Sequence, residues 1–257
     1  MTTILITGAN RGIGRGIADI FLSRPNTTLI ALVRDTSDET TKSLKPLSEG
    51  SAVVVLPYDA SDNTSAQTAI EVLQTQHHIT SLDIVIANAG IQTWQGPSIE
   101  TPPEAMMSHF QINTIAPLQL FKATLPLLQH RTSSSSKTSS PSPPKFFTIS
   151  SSVGSTELIP QRHHLRVLPY ATSKAAVNHV MHKLHSEHPE IVIELLAPGY
   201  VATNLSRGLK LEGSTVNQTG MVPIEDSTAG LVKQIDMANL ENTKGALTTW
   251  KGEVVPW

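Results

Sequence analysis

TGANRGIGRG, residues 7 to 16, directly follows the apolar run TILIT and opens a helix-length segment. Gly8, Gly12 and Gly14 give the spacing G-x-x-x-G-x-G. Without a Cβ, backbone N–H groups can approach an anion such as a pyrophosphate at the positive end of a helix. The same glycines also suit a bare strand-to-helix turn, but the strand before them and the amphipathic helix after them favour the ligand-holding reading.

The pattern repeats along the chain. Strand-like runs occur at 2 to 7, 28 to 33, 52 to 57, 82 to 87, 145 to 150 and 191 to 197, several of them continuously apolar, as strands covered on both faces must be. Helix-length segments lie between them, notably 12 to 23, 65 to 76, 105 to 129 and 170 to 186, with a further helix starting near Glu225. Alternation this regular predicts an α/β fold, a doubly wound parallel sheet of the Rossmann type, as a single domain over residues 1 to 257. Two segments break the rhythm. Residues 131 to 145, RTSSSSKTSSPSPPK, are Ser/Pro-rich and predict a flexible surface loop, with a regulatory, modification-prone loop as the alternative. Residues 204 to 223 lack periodicity and predict a substrate lid.

Composition narrows the function. Hydrophobic residues make up 39% and charged residues 16% of the chain, which fits a globular protein. A net charge of -2 without a basic stripe excludes nucleic acid as the expected partner. There is no cysteine, so disulfides and thiolate metal sites are excluded. No apolar run approaches the roughly 18 residues of a membrane span, and the N-terminus lacks a signal pattern. The expectation is a cytoplasmic protein acting on a small molecule, with no membrane and no metal.

Dinucleotide choice is read at the end of the second strand, ALVRD. An acidic residue there accepts from a ribose 2′-OH, whereas a cation holds a 2′-phosphate. Arg34 at the strand end and Arg11 in the glycine turn favour NADP(H) through bidentate guanidinium contacts; Asp35 keeps NAD open.

Seven motifs in order, TGANRGIG (7 to 14), YDAS (58 to 61), ANAG (87 to 90), QIN (111 to 113), ISS (149 to 151), YATSK (170 to 174) and PGYVAT (198 to 203), resemble the short-chain dehydrogenases/reductases over nearly the whole chain. More narrowly, TGANRGIGRG, the ALVR strand end, VIANAG and the terminal VPW are similar to the fungal ketoreductases of the norsolorinic acid reductase type. That resemblance implies NADPH-dependent reduction of a side-chain ketone on an aromatic polyketide. It assigns Gly8, Asn10, Arg11, Gly12, Ile13, Gly14, Arg34, Asp59, Asn88, Ala89, Gly90, Tyr170, Lys174, Pro198, Gly199, Val201 and Thr203 to the cofactor. Asp59 would meet the adenine, Asn88 to Gly90 the crevice, and Thr203 the nicotinamide carboxamide. It also implies a homodimer or homotetramer formed through the helices at 105 to 129 and 170 to 186.

Ketone reduction needs a hydride on carbon and a proton on oxygen, so a positioned acid must stand beside the nicotinamide. Tyr170 and Lys174 are i and i+4 on a predicted helix and share a face. A neighbouring ammonium favours phenolate and is expected to lower the Tyr170 pKa. By resemblance, Lys174 also holds the nicotinamide ribose, and Asn113 anchors a water linking Lys174 to solvent. The resemblance places the working hydroxyl at Ser151, with Ser150 and Ser152 as rivals. If extension continues, Ser150 and Ser152 point together and Ser151 opposite.

From Ser151 to Tyr170 is 19 residues, longer than the family pattern, with the extra length around TELIPQRHHLRVL. That stretch predicts a bulged pocket rim. His163 and His164 are candidates for substrate contact or wall-building, or are simply solvated. Gln92, Trp94, His164 and Tyr200 are the substrate-contact candidates, the aromatic ones through stacking. The readings that remain beside ketone reduction are alcohol oxidation, reduction of an imine or phenolic tautomer, and a non-catalytic NADP-binding regulator.

Overall fold

The computed structural model describes residues 1–133, 142–206 and 221–257. The expected Ser/Pro-rich loop therefore lies outside the described residues at 134–141, and the expected lid at 207–220.

The strands form one sheet in the order β3-β2-β1-β4-β5-β6-β7-β8. They are β1 Thr2–Thr7, β2 Thr27–Val33, β3 Ala52–Pro57, β4 Ile84–Ala87, β5 Lys145–Ile149, β6 Val192–Ala197, β7 Leu247–Thr249 and β8 Val254–Val255. All neighbours pair in parallel except β7 with β8. Period-2 alternation gives the sheet two apolar faces. Leu5, Ile30, Leu32, Val85 and Phe146 face one core, while Ile4, Ile6, Leu29, Ile86 and Phe147 face the other. This is why the strands read as unbroken apolar runs.

The first face is covered by α3 Ser65–Gln76, α5 Ala116–Ser133 and α7 Leu168–Glu187, the second by α1 Gly12–Leu22 and α8 Ile224–Met237. In α1 the buried Ile17, Ala18, Phe21 and Leu22 recur at helical spacing and bury one stripe. Two single-turn helices, α2 Glu39–Lys42 and α6 Ile159–Arg162, and the short β7 and β8 escape periodicity because they are too short to show one.

The helix expected over 105 to 129 is in fact three pieces. α4 Pro103–Phe110 runs into a π turn at Gln111–Ile115, and α5 follows. α7 begins at Leu168, two residues before the expected start, with Pro169 in its first turn, where a missing N–H costs nothing.

The strand order reverses between β1 and β4, so the segments after these two strands diverge and leave a crevice at their carboxyl ends. The crevice floor is tightly knit. Thr7 Oγ1 accepts from the N–H groups of Asn88 and Ala89, each at 2.9 Å, and Asn88 Nδ2 donates to the carbonyls of Thr7 at 2.9 Å and Gly8 at 3.3 Å. Gly14 sits directly behind this knot: a Cβ there would lie 2.3 Å from the Gly8 carbonyl oxygen and 2.4 Å from Asn88 Nδ2. Gly14→Ala is expected to lower unfolding stability by about 1–3 kcal/mol in urea titration; an unchanged midpoint would show that the turn can relax away from Asn88.

Candidate active site

The site is assembled from the segments that leave the carboxyl ends of β1, β2, β4, β5 and β6. The glycine turn places Gly8 and Gly12 at φ +66° and +56°, a region open to glycine at little cost. Arg11 is the N-cap residue of α1, and among the described residues no side chain caps that helix, so its first-turn N–H groups are available to an anion. Asn10 donates to Thr40 Oγ1 at 2.8 Å, tying the turn to α2. Gly14 and Ile13 enter the helix behind it.

At the end of β2, Arg34 is exposed and lines a cavity of about 230 Å³ with Pro57, Tyr58, Asp59, Asp62, Ser65 and Thr68. Asp59 is held below the usual carboxylate range by the Ser61 N–H, the Ser61 hydroxyl and, to a smaller degree, the charge of Arg34. Asp35 is not among the residues lining that cavity. Its carboxylate accepts from the Ser37 hydroxyl at 2.6 Å and N–H at 2.8 Å.

Beyond β6, Gly199 has φ +81° and packs against Trp250 and Val222, while Ser227 Oγ donates to the Pro198 carbonyl at 2.7 Å. Val201 pairs with Val222 in an isolated bridge. Thr203 then reaches back to the glycine turn, its Cγ2 3.6 Å from where a Gly12 Cβ would stand. PGYVAT and TGANRGIG thus close on each other across the crevice.

The three serines part company because β5 ends at Ile149 and the chain turns into a 3-10 turn at Ser152–Gly154. Strand alternation therefore stops before Ser152. Ser150 is buried and donates to Asn178 Oδ1 at 2.6 Å. Ser152 accepts from Arg162. Ser151, the N-cap of the turn, accepts from the Val153 N–H at 3.3 Å and is the serine near enough to the Tyr170 hydroxyl to lower its pKa. Gly154 lets this turn lie flat on α7, since a Cβ there would be 2.8 Å from the Lys174 carbonyl carbon.

Lys174 is 4% exposed, with its Nζ donating to the Ile149 carbonyl at 2.8 Å and lying 5.6 Å from the centre of the Tyr170 ring. Burial lowers its pKa to about 8. Burial also pushes Tyr170 up to about 12, against a smaller lowering from the Ser151 hydrogen bond. This corrects the expectation that Lys174 brings Tyr170 down: the same burial that deprives the phenolate of water also discourages the ammonium.

Asn113 is buried in the π turn. Its Oδ1 accepts from Ile91 N–H at 2.9 Å and its Nδ2 donates to the Ile91 carbonyl and to Ser173 Oγ, each at 3.0 Å. The side chain is thereby spent on joining the ANAG segment to α7, one residue from Lys174. Gly90 allows the junction, since its Cβ position is 3.1 Å from Asn113 Oδ1 and 3.9 Å from Lys174 Nζ. One turn earlier, buried His109 bonds through Nδ1 to the Ala105 carbonyl at 2.6 Å, accepts from Thr93 N–H at 3.3 Å, and lies 3.2 Å from Gln92 Oε1. Sequence reading passed over His109; its i, i+4 spacing to Asn113 was the available signal.

The substrate candidates are less convergent. Gln92 Nε2 donates to the Trp94 carbonyl at 3.0 Å, and the Trp94 ring lies against Gly96. Gly96 N–H reaches the Arg166 carbonyl at 3.0 Å, which joins this loop to the enlarged rim. His163 and His164 stand with rings 5.9 Å apart at 86°, His163 exposed and His164 half-buried. Among the described residues no hydrogen bond or ring contact joins Trp94, His164 or Tyr200 to the Ser151–Tyr170 pair.

A family model described as short chain dehydrogenase matches residues 2–212. The chain is 32% identical to the norsolorinic acid ketoreductase of Aspergillus parasiticus, covering 100% of this chain and 91% of that one. It is 36% identical to the short chain dehydrogenase gsfK of Penicillium aethiopicum, covering 99% of each. An NADPH-bound carbonyl reductase from chicken fatty liver superposes with a TM-score of 0.85 at 27% identity, covering 100% and 99% of the two chains.

The two shifted groups set a pH signature. Between about 8 and the ordinary 10.5, folded Lys174 has released a proton that the unfolded chain keeps, so stability rises with pH. Above 10.0, unfolded tyrosine ionises first and folded Tyr170 follows only near 12, so its contribution falls with pH. Relative to Lys174→Met, the wild type should gain on the order of 1–3 kcal/mol between pH 7.5 and 10 in chemical denaturation. A pH-independent difference would mean that Lys174 is not desolvated.

Proposed function

The chain belongs to the short-chain dehydrogenase family, and from that premise we propose that it is an NADPH-dependent ketoreductase acting on a carbonyl of a secondary metabolite, an aromatic polyketide ketone. The observation that carries this reading is the meeting of Ser151, Tyr170 and Lys174 at the end of β5, beside the crevice where the strand order reverses.

The residues present fit NADP(H). Gly14 has no room for a side chain and the first turn of α1 is uncapped, which leaves backbone N–H groups for a pyrophosphate. Gly8, Asn10, Arg11, Gly12 and Ile13 complete that cradle. The cavity lined by Asp59 suits the adenine, with Asn88, Ala89 and Gly90 shaping the crevice beside it. Because Asp35 is engaged by Ser37, exposed Arg34 is the group at the β2 end suited to a ribose substituent, and a guanidinium selects a 2′-phosphate. Pro198, Gly199, Val201 and Thr203 face the glycine turn from the far side and would hold the nicotinamide end. When bound, the cofactor supplies the hydride.

The protein's own residues supply the rest. Ser151 donates a hydrogen bond to the substrate carbonyl oxygen and Tyr170 gives that oxygen its proton. Burial keeps the phenol protonated at neutral pH, so Tyr170 holds a proton to give. Lys174 steadies the phenolate left behind, and its proton exchanges through water held by the backbone of the Asn113 turn. Gln92, Trp94, His164 and Tyr200 form the substrate wall. Assembly as a homodimer or homotetramer through the outer faces of α5 and α7 belongs to the same reading.

The test is NADPH oxidation over a panel of aryl ketones, polyketide anthraquinones, quinones and cyclic imines. Tyr170→Phe should lower kcat on the best ketone by about 10²–10⁴-fold; full activity in that variant would defeat the mechanism. Arg34→Ala should raise KM for NADPH far more than for NADH, whereas equal effects would remove Arg34 from cofactor selection.

A further inference from the structure

The enlarged rim between Ser151 and Tyr170 carries a cation that lacks an anion. Arg162 closes α6, is half-buried, and donates through Nη1 to the hydroxyl of Ser152, the residue next to Ser151. That is its one hydrogen bond among the described residues, and none of their carboxylates lies within ion-pair distance of it. A guanidinium has five N–H donors, so most of this one's capacity is open. Arg24 and Arg15 are satisfied differently: Arg24 grips Asp236 with two bonds, and Arg15 is held by Asp19, Thr40 and Ser43. Glu157, the carboxylate of the same rim, is exposed, and its backbone is tied to Trp257 instead.

A partly desolvated guanidinium without a counter-charge is costly unless something brings one. Burial depresses the Arg162 pKa, yet a guanidinium keeps its proton. Ser152 orients the fork, and Arg166, four residues on, ties the rim to the Trp94 loop. Ser152 follows Ser151 directly in the chain, so the cation is held at the rim by the residue next to the hydroxyl placed beside Tyr170.

Building on the ketoreductase reading, we propose that Arg162 is the anion-binding residue of the substrate pocket. The ketones this protein takes carry a planar oxyanion, a carboxylate or an ionised acidic phenol, that Arg162 holds while Ser151 and Tyr170 hold the carbonyl.

Two matched pairs of aryl ketones separate the sources of that charge. One is 4-acetylbenzoate against its methyl ester; the other is 4-hydroxyacetophenone against 4-methoxyacetophenone at pH 9. Arg162→Gln should lower kcat/KM for the ionised member of at least one pair by about ten- to a hundredfold, with the neutral member changing less than about threefold. Arg162→Lys should recover part of the loss, since it restores charge without the fork. Equal losses on ionised and neutral members, or no preference for either ionised member in the wild type, overturn the proposal. If the wild type turns over no ketone at all, the ketoreductase reading fails separately. The anion site is then decided by calorimetric titration of 4-acetylbenzoate into the wild type and Arg162→Gln: binding weakened tenfold or more by the substitution upholds it, and equal or absent binding overturns it.

Discussion

Thr7 and Asn88 hold the ends of two neighbouring strands together at the one place where the sheet changes direction. Each strand must release its chain there, β1 to one face and β4 to the other, and the freed backbone groups would otherwise lie buried without partners. Thr7 Oγ1 takes two of the N–H groups and Asn88 Nδ2 takes two of the carbonyls. Gly14 can then press α1 against the knot. The cleft, the uncapped helix end above it and the inward path of the ANAG segment all follow from this closure. Remove it, and neither the glycine turn nor Gly90 has a fixed position from which to face a ligand.

A second layer of buried polar groups carries that rigidity across to α7. Asn113 and Thr114 bond to Ser173, Ser150 to Asn178, and Lys174 to the Ile149 carbonyl. Buried hydrogen bonds contribute little net stability each, but breaking one strands its partner, so a set like this resists small displacements. Tyr170 and Lys174 are thereby held in a fixed relation to the β5 end. The arrangement is not perfectly satisfied: Thr148 Oγ1 and Asn178 Nδ2 are buried without a partner among the described residues. Both sit beside the β5 end, where Asn178 Oδ1 already accepts from Ser150.

Much of this was legible from spacing alone. The glycine turn, the apolar strands and the i, i+4 relation of Tyr170 to Lys174 are local, and local geometry is what periodicity and steric rules describe. The break of the 105–129 helix into α4, a π turn and α5 was not legible, because QIN at 111–113 reads as ordinary helix until Ile91 and Ser173 arrive to claim its side chain. His109 was passed over for the same reason: its partners, Thr93 and Gln92, lie in another segment.

The sequence by itself determined the sheet and the crevice and supplied the candidate site residues, since all of these rest on residue type and short-range period. Only the tertiary structure decided which of three adjacent serines meets Tyr170, because the strand ends at Ile149 and each serine then finds a different neighbour. It also decided the protonation tendencies of Tyr170 and Lys174. A sequence shows that a phenol and an ammonium are near each other; burial, which depends on everything packed around them, sets the sign of both shifts.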